Sequence, residues 1–180
     1  MNHVLSLEVL DTLNPGILKI TDTSHYEEML DVTCSRLEIL LPGFTIPVVK
    51  DVEPMFNLVL NACDLEVQKS DCGTKFCNLP DGIYSIRYSV SPNEIVKVEY
   101  NYLKVSMLMN RYKKALCCID LNAYEPSKEI KEKLKLLHEV RMYIEAAKAK
   151  AENCHEPEKS MELYNYANKI LSKFDCVNCK

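Results

Sequence analysis

Nine cysteines are the residues of this 180-residue chain whose types and spacing are best suited to chemistry. Cys176 and Cys179 form a C-x2-C pair, and Cys117 and Cys118 are adjacent. Two thiolates at C-x2-C spacing can bind one tetrahedral zinc ion, and a second pair nearby would complete a structural site. Because the chain has one C-x2-C pair rather than two, the sequence predicts free thiols, with a structural zinc site held by Cys117, Cys118, Cys176 and Cys179 as the alternative.

The remaining cysteines do not define a site of their own. Because their number is odd, a closed disulfide framework cannot use them all. Cys63 follows an apolar stretch and is expected to be a small buried apolar side chain. The start of the chain lacks a basic segment followed by an apolar run, so we expect a mature protein that begins near Met1 and is made in a reducing cytoplasm.

Catalytic patterns are absent from the sequence. A nucleophilic cysteine or serine needs a base within reach, and the histidines stand in no such context: they are His3, His25, His138 and His155. Cys154 precedes His155, but neighbours on a turn point in different directions. We therefore predict that the protein is not an enzyme.

Glycine is rare, and its spacing excludes two nucleotide-binding loops. The four glycines are Gly16, Gly43, Gly73 and Gly82. None stands close enough to another to form a P-loop or a G-x-G-x-x-G fingerprint, because those loops need clustered glycines to approach phosphate. Apart from the alternative zinc site, no cofactor is predicted.

Charge is distributed unevenly along the chain. Residues 1–95 hold 6 Lys/Arg and 14 Asp/Glu, whereas residues 96–180 hold 16 and 12, so the overall charge of −4 hides a dipolar molecule. The basic residues of the second half are interleaved with glutamates, and the acidic total lacks the footprint of a nucleic-acid-binding protein. We therefore expect solvated helix faces.

Two periodicities predict the elements that position these residues. Short alternating segments separated by turn residues predict antiparallel strands, at Val4–Val9, Ile17–Thr21, Ser35–Leu41, Phe44–Val49, Phe56–Leu60, Ile83–Val90 and Ile95–Tyr100. A period of 3.6 residues then predicts three antiparallel helices, at Tyr102–Cys118, Ser127–Asn153 and Glu158–Phe174. The sequence predicts an α+β fold, with an antiparallel β-sandwich-like domain over residues 1–100 and a three-helix arm over residues 101–180. The intervening segment 63–78 is expected to be a loop that contacts partners.

Four stretches of the chain together carry a family resemblance: Leu79–Asn93, Ile144–Ala149, Cys154–Lys159 with Met161–Tyr164, and Cys176–Cys179. In combination they resemble a virion structural protein of the crAss-like phages of gut Bacteroidetes, of the kind that forms rings below the portal in the neck and tail.

The resemblance implies a non-enzymatic subunit that assembles as a homo-oligomeric ring of about twelve copies, matching the portal. Its implied partners are copies of itself, the portal and other ring or tail proteins, with channel DNA passing by without specific binding. No membrane association is expected. The implied location is the virion neck or tail, after synthesis in the host cytoplasm. The alternative hypothesis is a zinc-stabilised protein-binding adaptor.

Overall fold

The computed structural model describes residues 5–26, 34–65, 78–91, 96–117, 119 and 127–174. The chain divides into two compact units, Met1–Lys104 and Val105–Lys180, which we call the β unit and the helical unit. The division falls four residues after the predicted boundary at 100/101, because the last strand continues through Lys104.

Two antiparallel sheets and three helices confirm the predicted α+β class. The strands are β1 Leu7–Asp11, β2 Ile17–Asp22, β3 Cys34–Leu40, β4 Val48–Asp51, β5 Asn57–Asn61, β6 Gly82–Ser91 and β7 Val96–Lys104. The helices are α1 Ser106–Cys117, α2 Lys128–Glu152 and α3 Pro157–Leu171.

The strands form a three-stranded sheet in the order β1-β2-β5 and a four-stranded sheet in the order β4-β3-β6-β7. The alternation along β6 explains its position inside the second sheet. Tyr84, Ile86, Tyr88 and Val90 are buried, whereas Arg87 between them is exposed. Successive residues of a strand point to opposite faces, so this pattern directs one face of the sheet into the core.

Both sheets contribute to one hydrophobic core, which makes the β unit a sandwich. Leu18 and Ile20 of β2 are fully buried in the same cluster as Leu37 of β3 and Ile86 of β6. Burying a large apolar side chain stabilises a fold by about 1.5–3 kcal/mol. The shared core is therefore what holds the two sheets face to face.

Edge strands β1 and β7 close one side of the sandwich. The ammonium of Lys104, the last residue of β7, lies 3.2 Å from Oδ1 of Asp11, the last residue of β1. The Lys104 side chain is 0% exposed and that of Asp11 is 6% exposed. An ion pair removed from water in this way must stay paired, because each charge alone would be strongly disfavoured.

Two of the predicted boundaries that were wrong have a clear local reason. β4 begins at Val48 rather than Phe44, because Gly43 has a φ of 80° and the Phe44 N–H donates to the Leu41 carbonyl, which forms a turn. The first helix begins at Ser106 rather than Tyr102, since Tyr102 still pairs with Tyr84 across the β6–β7 ladder.

In the helical unit, α2 and α3 pack closely along small side chains. The Ser127 hydroxyl caps the start of α2 by accepting the Ile130 N–H at 3.2 Å. Buried Ala147 of α2 faces buried Ser160 of α3, whose hydroxyl donates to the Ala147 carbonyl at 2.7 Å. Small residues allow the two backbones to approach, and the hydrogen bond fixes their register. Over the described ranges, none of the helices combines the length and apolar content that crossing a bilayer requires.

The turn between α2 and α3 places His155 in the left-handed region, with a φ of 52°. There the Cys154 N–H donates to the Ala149 carbonyl and the Glu156 N–H to the Lys150 carbonyl. Glycine adopts this conformation without the Cβ clash that penalises other residues.

Replacing His155 with glycine is therefore expected to stabilise the helical unit by roughly 0.5–1 kcal/mol. Urea unfolding followed by far-UV circular dichroism measures the change. His155→Val is the control and should destabilise, because a β-branched residue tolerates this conformation worst. A glycine variant no more stable than the valine variant would contradict this account of the turn.

Candidate functional site

The side of the sandwich opposite Lys104 and Asp11 carries an apolar cleft of about 560 Å³. It lies beside β4, between the β3–β4 loop and the end of a 3₁₀ turn, Ala62–Asp64, that follows β5. The lining residues are Leu41, Phe44, Thr45, Ile46, Pro47, Val48, Val49, Lys50, Asp64 and Leu65. This cleft is the candidate functional site.

Local structure on each wall of the cleft sets its shape. On one side, Phe44 and Val48 pack against the sandwich core. On the other, the Asn61 side chain accepts the Cys63 N–H at 3.0 Å and so caps the 3₁₀ turn. That turn brings Leu65, which also packs against the core, to the opposite wall.

Two apolar side chains at the mouth of the cleft are exposed to solvent. Ile46 is 65% exposed and Val49 is 43% exposed. Single exposed apolar residues are ordinary, but contiguous ones beside a concave site are typical of a surface that binds a partner. The cleft therefore offers apolar area that binding would remove from water.

Strand β4 adds backbone groups to this surface, because it is an edge strand whose one partner in the described sheet is β3. The Val52 N–H donates to the Ser35 carbonyl at 3.0 Å. Hydrogen-bonded pairs alternate along an antiparallel ladder. Lys50 consequently pairs with β3, whereas Val49 and Asp51 direct their N–H and C=O groups towards the open edge.

Charges surround the apolar lining. Lys50 and Asp64 line the cleft, and Asp51 and Glu53 are exposed next to it. On β3, Arg36 lies across from Asp51 and is paired with Glu38 at 3.3 Å. Among these described residues, four carboxylates therefore stand against two cationic groups, and the net charge of this rim beside the cleft is negative. It therefore favours a cationic partner.

The buried carboxylate of Asp22 anchors the loop that joins β4 to β5. Oδ2 of Asp22 accepts the Tyr26 hydroxyl at 2.5 Å, the Tyr88 hydroxyl at 3.0 Å and the Met55 N–H at 2.8 Å. Its Oδ1 accepts the Ser24 N–H at 2.9 Å. Asp22 thus ties β2, β6 and the β4–β5 loop together, and holds Met55 at a φ of 64°.

The hydrogen bonds of this carboxylate set its ionisation. Burial raises the pKa of Asp22, but the hydrogen bonds from Ser24, Tyr26 and the Met55 N–H outweigh burial, and the net pKa lies below its ordinary value. Burial raises the pKa of Tyr26, and its hydrogen bond to Asp22 raises it further. The cluster therefore holds a charged carboxylate among neutral phenols at neutral pH.

The structure describes one of the four cysteines of the alternative zinc site. Cys117 is the last residue of α1 and is exposed. Cys118, Cys176 and Cys179 lie outside the described residues, so the zinc site stays a prediction, which metal analysis of protein purified without added zinc tests. Within the described part of the chain, no three His, Cys, Asp or Glu side chains are grouped to hold a metal ion.

One reading of a cysteine was wrong. Cys63 was expected to be buried, but it is exposed on the 3₁₀ turn. Its neighbour Ala62 takes the core position instead and is 0% exposed.

Comparison with known proteins finds no counterpart: no family model, curated protein or solved structure matches this chain.

Proposed function

We propose that this protein is a non-enzymatic structural subunit of a phage virion, which assembles as a homo-oligomeric ring in the head-to-tail connector or tail. The observation that carries the proposal is the opposite charge of the two units. The β unit has 8 Lys/Arg and 15 Asp/Glu, net −7, and the helical unit has 14 and 11, net +3. A closed ring needs two different, complementary surfaces on every subunit, and an acidic unit and a basic unit supply them.

Exposed apolar side chains on both units support contacts of this kind. On the outer face of the three-stranded sheet, Leu10 and Val59 flank Lys19 in register, and each is 49% exposed. In the helical unit, Met142 is 58% exposed and Tyr166 is 55% exposed. Such residues gain free energy when a neighbouring subunit covers them.

The charge distribution also suits a channel for DNA. A surface with excess carboxylate repels phosphate, so a genome can pass it without being held. The portal and other ring or tail proteins are the proposed partners above and below the ring. The proposed location is the virion neck or tail.

The test is the mass of the purified full-length chain, measured by light scattering over a range of salt concentrations. We expect an oligomer of about twelve copies at low salt that dissociates as salt rises, because screening weakens contacts between opposite charges. A monomer at every salt and protein concentration, which also fails to join portal or tail particles, would overturn the proposal.

A charge reversal on the helical unit sharpens this test. Lys131 and Lys135 are exposed on α2. Replacing both with glutamate should shift assembly to higher protein concentration, whereas replacing both with arginine should leave it unchanged. If the two variants assemble equally well, the charges of Lys131 and Lys135 do not contribute to assembly.

A further inference from the structure

We propose that the cleft beside β4 binds an extended, basic and apolar peptide segment of another virion protein by adding it as a strand to the four-stranded sheet. The inference rests on the proposed function for the source of the segment. The site itself is argued from the cleft, the open edge and the charges of the rim.

The open edge determines the backbone conformation of the ligand. The N–H and C=O groups of Val49 and Asp51 face away from β3, so a ligand satisfies them best as an extended strand. β4 has four residues and is preceded by Pro47. A short edge next to proline limits pairing to a short segment, which favours a specific ligand over open-ended sheet growth.

The cleft determines which side chains the segment carries. Alternate residues of an added strand point to the same face, and the face next to Val48 opens onto the cleft lined by Ile46 and Leu65. Apolar side chains at alternate positions would fill it. At about 560 Å³ the cleft has the volume of a small-ligand pocket, enough for a few aliphatic side chains.

The rim determines the charge of the segment. Asp64 lines the cleft with Lys50, and Asp51 and Glu53 are exposed beside it, while Arg36, across from Asp51, is paired with Glu38. Lysine or arginine at the remaining positions of the segment would pair with these carboxylates, and an acidic segment would be repelled. The occupant is therefore an extended segment that alternates apolar with polar or basic residues.

Among the described residues, the opposite side of the sandwich is less suited to strand addition. There the edge strands β1 and β7 lie together, and the Lys104–Asp11 pair is buried between them. A charge that points into the sandwich at an edge is one way that proteins discourage strand addition. Strand addition is therefore expected at β4 rather than at β7.

The probe is a fluorescein-labelled synthetic peptide, Lys-Val-Thr-Val-Lys-Val, titrated with the full-length protein and followed by fluorescence anisotropy. We expect saturable binding. A peptide with glutamate in place of lysine, and one with proline in place of threonine, whose N–H faces β4 in an antiparallel addition, should each bind at least about tenfold more weakly. Equal binding of all three peptides, or no saturable binding of the first, would overturn the proposal.

Two variants place the peptide on the protein. Val49→Pro removes an N–H that faces the open edge and spares the ladder to β3, and Ile46→Asn replaces an apolar side chain at the mouth with a neutral polar one, so that the attraction between the rim and the basic peptide is unchanged. Each should weaken binding about tenfold. Leu13→Asn is the matched control, because it makes the same kind of change at an exposed apolar residue outside the cleft lining, and binding should stay within about twofold. Thermal unfolding of each variant shows that the fold is intact.

The same variants separate this inference from the proposed function. If Ile46→Asn dissociates a homo-oligomer, the cleft is occupied by a second copy of this chain, and the proposal of a separate protein's segment is wrong. If the ring assembles but the protein binds no peptide, the proposed docking site is wrong and the proposed ring is not affected. A protein that binds the peptide at β4 but is an inert monomer overturns the ring alone.

Discussion

Replacing Lys104 with methionine is expected to lower the free energy of unfolding of the β unit by about 3–5 kcal/mol. The substitution would leave the Asp11 carboxylate, whose side chain is 6% exposed, without the ammonium that now lies 3.2 Å away. Removing one member of a buried ion pair costs far more than the pair contributes relative to apolar residues. Urea unfolding with amide exchange of β6 as the readout measures the effect in the β unit itself.

Two controls distinguish burial from charge pairing alone. Arg87 and Glu99 form a pair of 2.7 Å on the outside of β6 and β7, with side chains 50% and 60% exposed. Arg87→Met should cost no more than about 1 kcal/mol, because water solvates the remaining carboxylate. The double variant Lys104→Met with Asp11→Leu should recover most of the loss. A Lys104 variant no less stable than the Arg87 variant would contradict this description of the closed side.

Replacing Asp22 with asparagine is expected to destabilise the β unit by about 2–3 kcal/mol at neutral pH. Four donors converge on this carboxylate from three elements. Asparagine keeps the shape but removes the negative charge, and it presents an NH₂ group where one oxygen accepted hydrogen bonds. Tyr26→Phe is the control and should cost less, because it removes one donor and leaves the charge in place.

The same variant should change the pH dependence of stability. Because the folded-state pKa of Asp22 lies below its unfolded value, the charged form stabilises the fold above the unfolded value of about 3.9, and this stabilisation is lost as pH falls through the folded pKa. Asp22→Asn should therefore lose stability less steeply than the natural protein below about pH 4. Urea unfolding at several pH values measures the free energy of unfolding of both proteins. The same loss of stability with falling pH in both would contradict the assigned role of Asp22.

Much of the fold could be predicted because the signals are local. The alternation from Tyr84 to Val90 is the burial pattern of one strand. The periodic stripe of Leu137, Val140 and Ile144 is the buried face of α2. The proline at the start of α3 likewise indicated where that helix begins. Boundaries were less predictable where two signals overlap, as at Tyr102, which suits both a strand and an amphipathic helix.

The candidate site could not be predicted, because its parts are distant in sequence. The cleft joins residues 44–50 to Asp64 and Leu65, and neither segment has a pattern that indicates the other. The segment that begins at Phe44 has the alternating pattern of a strand. It forms one wall of the cleft because the chain turns at Gly43 and the segment then lies opposite Leu65. The exposure of Ile46 and Val49 indicates a binding surface only once β4 is known to be an edge strand.

The central claim is that this chain is a structural part of a virion, and quantitative mass spectrometry of purified phage particles tests it most directly. The account predicts that the chain is present in particles at a fixed ratio to the portal protein, about one copy per portal subunit if the ring matches it. Absence from purified particles, together with abundance in the infected cell, would contradict it.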